Sequence, residues 1–263
     1  ANGFGGQPFS LENLRSVRSL ADRYHVRIFL DATRIIENAY QIKALENAYR
    51  DHPVWKIVRE ICSNADGLTM SLTKDFPTSI GAVAAFRDKD LYEEAFDFVL
   101  AMGDGLAEET RHKIHDALEF AKDDTSYILK RMHLSKRLHE GLASAGFTVV
   151  QPAGGHAVLV DLNNLLPQLT RRNFPAESLN HELYFKFGIR GSPHMASERQ
   201  EEMGMNLFRL AVPILLMEES QIEEVIRHFK SWLQESKGVK PLKRTFIPLG
   251  LSGEFRAWYE QAA

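Results

Sequence analysis

The sequence predicts an α/β fold with a largely parallel sheet, followed by a smaller α+β domain. Short apolar runs typical of strands alternate with segments that have helical spacing. The strand-like runs are VRIFLD (26–31), GLTMSLTK (67–74) and IGAVAAF (80–86), and the helical segments begin after Ser10, a suitable N-cap, and at Val54. Helices that alternate with short apolar strands are typical of α/β domains.

The pattern changes after Asp88, where strands give way to helices. Residues 106–146 are predicted to form one long connecting helix, either straight or kinked, which Gly146 can end. Strand-like runs then return at 147–162 and 207–213, with helical segments at 176–188 and 218–235. We therefore expect a large domain over 1–105, the connecting helix over 106–146, and a small C-terminal domain with a tail over 147–263.

Composition limits the classes of function. The chain has 263 residues, of which 44% are hydrophobic and 25% charged, as in ordinary globular proteins. A net charge of -3 argues against a nucleic-acid partner, and no apolar run approaches the roughly 20 residues of a membrane span. The single cysteine, Cys62, excludes an intrachain disulfide and favours a cytoplasmic location.

Ionisable residues follow two of the predicted strands. Asp31 and Arg34 come after the first strand, and Lys74 ends the second. In open α/β sheets, ligands bind at the carboxyl ends of strands. A carboxylate, a guanidinium and an amine at one edge suit pyridoxal 5′-phosphate, which uses a Schiff-base lysine and an Asp partner for its ring nitrogen. The structural alternatives are an Asp31–Arg34 salt bridge and a lysine whose stem covers apolar surface.

Six segments occur in an order that resembles the aromatic amino-acid β-eliminating lyases, the tyrosine phenol-lyase and tryptophanase family. They are FGGQPFSLENLRSVRSL, FLDATRIIENAYQIK, ADGLTMSLTKD, GGHAVLVDL, NFPAESL and FRLAVP. The resemblance extends from residue 1 to about residue 235. It implies fold type I of the pyridoxal-phosphate enzymes, with the large domain holding the cofactor. It also implies β-elimination from an amino acid, a monovalent cation such as K⁺, and a dimer or tetramer with active sites at an interface.

The resemblance also implies roles for single residues at the cofactor. Lys74 matches the Schiff-base lysine, whose amine is afterwards the natural base for the Cα proton. Asp31 would pair with the ring nitrogen and keep it protonated. Arg34 and Asn2 would bond the phenolic oxygen, and Ser71 would bond the phosphate.

Four further residues are matched to the substrate or to the cation. Arg209 would bind the substrate carboxylate in a bidentate manner. His156 would contact the substrate, with a core histidine as the alternative. His194 would act as general acid for the leaving group, with a loop histidine of no role as the alternative. The backbone carbonyl of Ser79 lies where the family offers a cation ligand.

The chain departs from the family pattern at several points. Thr73 stands where the family has the first of two consecutive lysines, and DGLAEET (104–110) replaces GGLAGRD. His194 aligns with an arginine of tyrosine phenol-lyase and with an apolar residue of tryptophanase, so neither phenol nor indole is assigned as leaving group. The family's N-terminal half, with its main phosphate-binding loop, has no counterpart here. We expect either that a partner chain carries it or that this sequence is the C-terminal portion of a longer polypeptide.

Two other functions remain open at this point. The same cofactor residues would also serve an aminotransferase, an aldolase or a β-substitution enzyme. A non-catalytic subunit that keeps the fold is the alternative of another class. Retention of Asp31, Arg34, Lys74 and Arg209 argues against that alternative, whereas the loss of the paired lysine favours it.

Overall fold

The computed structural model describes residues 7–103, 105–194, 206–235, 238–246 and 258–261. The chain forms two compact units. The first contains Ala1–His133 and Ile214–Leu216, and the second contains Leu134–Pro213 and Met217–Ala263. Each unit has its own apolar core.

The first unit combines six helices with three strands among its described residues. In chain order they are α1 (Leu11–Arg23), β1 (Phe29–Asp31), α2 (Ile35–Leu45), α3 (Val54–Ser63), β2 (Gly67–Ser71), β3 (Ala82–Phe86), α4 (Lys89–Met102), α5 (Glu108–Asp123) and α6 (Ser126–Ser144), the last of which continues into the second unit. Short 3₁₀ turns occur at Asn47–Tyr49 and Leu72–Lys74.

The strands of the first unit form one sheet in the order β1-β2-β3. β1 runs parallel to β2, whereas β3 is antiparallel to β2. The sheet expected to be largely parallel is therefore mixed within the described residues. Leu68 and Met70 pack against the core, while Thr69, between them, is exposed. This alternation is typical of a strand, because successive side chains point to opposite faces of the sheet.

Local signals explain α1 but not α2. Ser10 caps α1 by accepting a hydrogen bond from the amide of Asn13, as predicted. α2 begins after Arg34, whose side chain makes no capping hydrogen bond. Its first amides are bound instead by Asp75, which is distant in sequence. The helix is therefore fixed by a tertiary contact that no local pattern announces.

The single helix expected over 106–146 is wrong, since α5 and α6 are separate helices. The break lies at Asp124, whose backbone is extended with φ -136° and ψ 117°. Its carboxylate accepts a hydrogen bond from the amide of Ser126 at 2.7 Å. That bond lowers the pKa of Asp124. A carboxylate satisfying an amide at the start of α6 favours a new helix over a continuous one.

The second unit combines strands, helices and a hairpin. Besides the end of α6 it contains β4 (Ala157–Asp161), a 3₁₀ turn (Arg171–Asn173), α7 (Pro175–Phe187), β5 (Ser192–His194), β6 (Leu207–Ala211), α8 (Glu219–Glu235), β7 (Leu242–Phe246) and β8 (Trp258–Gln261). Three strands form an antiparallel sheet in the order β4-β6-β5, and β7 pairs with β8. Phe208, Phe229 and Trp232 are fully buried in the core of this unit.

Within the described ranges, no helix is both long enough and apolar enough to cross a bilayer.

Candidate active site

Two strand ends meet at one edge of the first sheet. The parallel register pairs Asp31 of β1 with Thr69 of β2, and the Ala32 amide donates to the Thr69 carbonyl at 2.7 Å. β1 ends at Asp31 and β2 ends two residues after Thr69, so the chain leaves both strands at the same edge. The exposed Asp31 carboxylate accepts a hydrogen bond from the Thr33 amide at 3.0 Å.

Hydroxyl groups join the two turns that follow these strands. The Ser71 amide donates to the Thr33 hydroxyl oxygen at 3.0 Å. The Ser71 hydroxyl lies 3.2 Å from the Thr73 hydroxyl, within hydrogen-bonding distance. Thr73 is the position at which the resemblance expects a lysine, so a short hydroxyl replaces an amine here. Such hydroxyls can donate hydrogen bonds to the oxygens of a phosphate group.

Arg34 has a left-handed backbone, with φ 66°, just before α2. Its half-buried side chain lies among charges. Burial lowers the pKa of Arg34, and the Glu37 carboxylate is the strongest influence that raises it. Asp31 is one of the further carboxylates that raise it. Within the described residues, Asp31 and Arg34 form no ion pair with each other, although the Asp31 charge still acts on Arg34.

Lys74 does not end the strand as expected. β2 stops at Ser71, and Leu72–Lys74 form a 3₁₀ turn. Leu72 is fully buried and Lys74 is exposed, so the turn anchors one side chain and presents the other. Among the described residues, the Lys74 ammonium makes no hydrogen bond and no ion pair.

A buried group of charges lies behind Lys74. It consists of Glu37, Asp75 and Arg131, which we call the Arg131 cluster, with side chains 3%, 0% and 4% exposed. The Arg131 guanidinium donates to Glu37 Oε2 and to Asp75 Oδ1, both at 2.8 Å. It also donates to the backbone carbonyl oxygen of Lys74. One side chain on α6 therefore holds the main chain of the residue expected to bind the cofactor.

Asp75 links this cluster to α2. Its other carboxylate oxygen accepts from the amides of Ile36 at 2.7 Å and Glu37 at 3.3 Å. A carboxylate at a helix N-terminus interacts favourably with the unpaired amides and the helix dipole. Burial raises the pKa of Asp75, whereas the Arg131 guanidinium and the Ile36 amide oppose that rise.

A tyrosine completes the support of the turn. The Tyr127 hydroxyl donates to the carbonyl oxygen of Asp75 at 2.8 Å. Burial raises the pKa of Tyr127, so the phenol keeps its proton and its role as donor. The side chains of Leu72 and Phe76, on either side of Lys74, are buried in the core. Two consecutive residues, Lys74 and Asp75, thus have their carbonyl oxygens bound by side chains of α6.

Sequence reasoning missed these supporting residues. Glu37, Arg131 and Tyr127 carry no motif, and their partners lie 52 to 94 positions away in sequence. A usable signal existed only for Asp75, an acidic residue next to the candidate lysine. Charged residues in helical segments are usually solvated, which hides the few that are buried.

Ser79, the candidate cation ligand, follows in the same loop. It is exposed and lies at a groove of about 670 Å³, lined by Ile80, Phe120, Tyr127 and other residues of the first unit. Among the described residues, no three His, Cys, Asp or Glu side chains converge as a metal site. A carbonyl ligand is of another kind, so the role of Ser79 stays a prediction.

The substrate residues expected in the second half lie in the second unit. Arg209 is on β6, where the register pairs it with Leu159 of β4 and Ser192 of β5, and it is half-buried. His156 precedes β4 and is 2% exposed. Its carbonyl oxygen accepts from the Val212 amide at 2.8 Å, so its backbone joins the same sheet.

Two expected site residues cannot be placed in full. Asn2 lies outside the described residues. The backbone of His194 pairs with Leu207 at the end of β5, but its side chain lies outside what the structure describes. Their proposed contacts stay predictions.

Comparison with known proteins decides the family. The model of the β-eliminating lyases matches residues 1–206. The chain belongs to this family. The match covers both strand ends, Lys74 and the Arg131 cluster, and it confirms the resemblance inferred from the six segments.

Individual relatives agree with this assignment. A tyrosine phenol-lyase of Symbiobacterium sp. strain SC-1 is 34% identical over 257 residues, covering 93% of this chain and 56% of the relative. A tryptophanase of Salinibacter ruber is 38% identical over 239 residues, covering 86% and 50%. A probable tryptophanase of Aeropyrum pernix is 37% identical, covering 94% and 56%. The chain thus spans about half the length of the curated relatives it matches.

A solved structure supports the fold. The chain is similar to a threonine aldolase of Leishmania major with a TM-score of 0.62 and 15% identity, over 88% of this chain and 58% of that one. At this identity, the likeness concerns the fold alone. Together with the family, it supports an α/β fold of the fold type I pyridoxal-phosphate class.

Proposed function

We propose that this chain carries the lysine-bearing part of the active site of a pyridoxal-phosphate-dependent lyase. Its substrate is an amino acid with a substituent on Cβ, which is eliminated. The observation that carries the proposal is the meeting of Asp31 and the Lys74 turn at one sheet edge, in a chain of the β-eliminating lyase family. Both side chains are exposed and therefore accessible to a ligand.

The donor groups at this edge fit the cofactor. The Asp31 carboxylate suits a protonated ring nitrogen, and the Arg34 guanidinium suits the phenolic oxygen. The hydroxyls of Ser71 and Thr73 are donors for phosphate oxygens. The Lys74 amine has no competing partner among the described residues, so it is available to the aldehyde. When bound, the cofactor supplies an electron sink that acidifies the Cα–H bond of the substrate.

Three residues of the first unit then have separate roles in the elimination. Asp31 holds the proton on the ring nitrogen through its negative charge. Lys74 takes the proton from Cα and keeps it close to the reacting atoms. The electron pair of the broken C–H bond allows the bond from Cβ to its substituent to break, and the substituent leaves with those electrons. Arg34 stabilises negative charge at the edge of the ring.

Residues of the second unit are assigned to the substrate. Arg209 binds the α-carboxylate, for which a planar guanidinium with two parallel donors is well suited. His156 contacts the substrate, and His194 gives a proton to the leaving group. His194 stands at a position where tyrosine phenol-lyase and tryptophanase differ, so the proposed substrate is defined only by its substituent on Cβ.

The proposal for the whole protein includes further contributors. A polypeptide segment corresponding to the other half of the relatives completes the phosphate site, within a dimer or tetramer whose active site lies at an interface. A monovalent cation binds at the Ser79 carbonyl, and Asn2 adds a bond to the phenolic oxygen. The location is cytoplasmic, in line with the single thiol of Cys62.

Turnover of β-chloroalanine tests the proposed reaction. The native protein, with any polypeptide that accompanies it, is incubated with pyridoxal phosphate and this probe. Elimination with hydrolysis converts β-chloroalanine and water into pyruvate, ammonium and chloride in equal amounts, with release of one proton. We expect all three products from the wild type and from Lys89→Ala, a change of an exposed lysine. Stoichiometric pyridoxamine phosphate without chloride release would indicate a transferase and contradict the proposal.

A further inference from the structure

No described residue contacts the Lys74 ammonium in a way that would fix its position. Among the described residues its ammonium is unbonded, and four flexible methylenes separate it from the backbone. The position of its amine therefore depends on the position and direction of its Cα–Cβ bond. Groups that fix the main chain at this residue therefore set the region that the flexible side chain can reach with its amine.

Such groups are present and converge on two consecutive residues. Arg131 donates to the carbonyl oxygen of Lys74, and Tyr127 donates to that of Asp75. Asp75 is itself held on one side by Arg131 and on the other by the Ile36 amide, at 2.8 and 2.7 Å. The peptide unit after Lys74 is thus fixed from α6 and from the start of α2.

A buried ionic group is a costly means of holding a turn. Removing charges from water is unfavourable, and well-packed apolar residues of similar volume often give equal or greater stability. An ionic group differs from an apolar one in its directionality, because a guanidinium donates along fixed directions. Here one N–H group of the Arg131 guanidinium donates to the Lys74 carbonyl oxygen.

We propose that Arg131 and Asp75 are positioning residues that set the reach of the Lys74 amine toward the cofactor aldehyde. This inference rests on the proposed function of Lys74 and adds to it a specific dependence. Loss of the directed contact leaves the binding groups for ring and phosphate in place. It weakens only the part of the cofactor affinity that comes from the covalent bond between the Lys74 amine and the aldehyde, because a misplaced amine forms that bond less readily.

Two cofactor forms separate positioning from general structure. Pyridoxal 5′-phosphate has the aldehyde that reacts with an amine, whereas pyridoxine 5′-phosphate has an alcohol in its place and cannot react. Dissociation constants for both are measured by absorbance or fluorescence titration of the native protein with any accompanying polypeptide. Borohydride reduction and peptide mapping give the fraction of Lys74 that carries the aldehyde form.

Arg131→Lys is the informative variant, since it keeps the positive charge and changes the direction of the donors. We expect its dissociation constant for pyridoxal phosphate to rise about tenfold. The constant for pyridoxine phosphate should stay unchanged, and the trapped fraction on Lys74 should fall. Arg137→Lys is the matched control on the same helix, because Arg137 pairs with Glu223 and does not touch the Lys74 turn. It should leave all three quantities unchanged.

Equal weakening of both cofactor forms by Arg131→Lys would show a general structural role and overturn the inference. Unchanged binding of both forms would overturn it as well. If circular dichroism shows that Arg131→Lys does not fold, Asp75→Asn decides by the same comparison, as it keeps the shape and removes the charge. Failure of the proposed function is distinguishable, because wild-type protein would then give no adduct on Lys74 at all.

Discussion

The two sides of the Lys74 turn are built in opposite ways. The front presents exposed groups, Asp31 and the Lys74 amine, which have few partners among the described residues. The back consists of the Arg131 cluster, whose three charged side chains are at most 4% exposed and are hydrogen-bonded to each other and to the backbone. The groups proposed for chemistry are thus exposed to solvent, whereas the groups that hold the turn in place are buried.

This difference separates two kinds of dependence on sequence. Changes at the front should alter catalysis while leaving stability intact, because exposed side chains contribute little to folding. Changes at the back should first alter stability, because they remove the guanidinium that offsets the charge of two buried carboxylates. A variant that behaves in the opposite way would break the distinction.

The largest expected effect is at the front. Lys74→Ala removes the amine for the cofactor and the base for the Cα proton, so elimination should fall by about 10³-fold or more. The free energy of unfolding should change by less than about 0.5 kcal/mol, since the side chain is exposed. Pyruvate release and urea unfolding measure the two quantities. Retained turnover would remove Lys74 from the catalytic assignment.

The next effect is at the back. Arg131→Met removes the guanidinium that pairs with the buried carboxylates of Glu37 and Asp75, so the free energy of unfolding should fall by about 3–5 kcal/mol. Arg137→Met on the same helix breaks a partly exposed pair and should cost only about 0–1 kcal/mol. Denaturant titration of both variants makes the comparison.

The pH dependence of Arg131→Met sharpens this result. Burial raises the pKa of Asp75, and the variant removes the guanidinium that opposes the rise. The folded variant should then hold a proton on Asp75 at pH values where the unfolded chain has released it, so its stability should increase as the pH falls from neutral toward the ordinary range of a carboxyl group. A cost that stays constant over this range would show that the carboxylates have found another partner.

A smaller catalytic effect is expected at the cofactor ring. Asp31→Asn keeps an acceptor for the Thr33 amide but removes the charge that holds the ring proton. Turnover should fall by about 10²-fold, with little change in the unfolding midpoint. The absorbance spectrum of the bound cofactor should shift between pH 6 and 9 in the variant, which reports the loss of that proton. An unchanged spectrum and rate would place the ring nitrogen elsewhere.

The smallest expected effect concerns the Tyr127 hydroxyl. Tyr127→Phe removes one hydrogen bond to the Asp75 carbonyl and keeps the packed ring, so it should cost about 1 kcal/mol. Thermal unfolding compared with Tyr24→Phe, a change of an exposed tyrosine, measures this loss. Equal midpoints for the two variants would show that the bond does not support the turn.

The sequence predicts the front of the site better than the back. Asp31 and Lys74 follow apolar runs that end at the same sheet edge, and the structure confirms that edge through the parallel pairing of β1 with β2. β2 nevertheless ends at Ser71, because the burial of Leu72 in a 3₁₀ turn outweighs continued alternation. The antiparallel direction of β3 likewise depends on tertiary pairing.

The contacts of the Arg131 cluster could not be predicted from local sequence patterns, because they join distant segments. The first amides of α2 are satisfied by Asp75 rather than by a neighbour in sequence, so the usual capping signal is missing at Arg34. The break between α5 and α6 had such a signal in Asp124, but the helical spacing on both sides concealed it. Sequence patterns reveal hydrogen bonds that a polar group makes to its neighbours in sequence. They do not reveal hydrogen bonds that come from a distant segment of the chain.

Borohydride reduction of the native protein, followed by peptide mass mapping, tests the central claim most directly. Reduction fixes a cofactor aldehyde on the amine that holds it. We predict a phosphopyridoxyl adduct on Lys74 and none on the exposed lysines Lys89 and Lys113. Protein saturated with pyridoxal phosphate that carries no adduct on Lys74 would contradict the account of this sheet edge as a cofactor site.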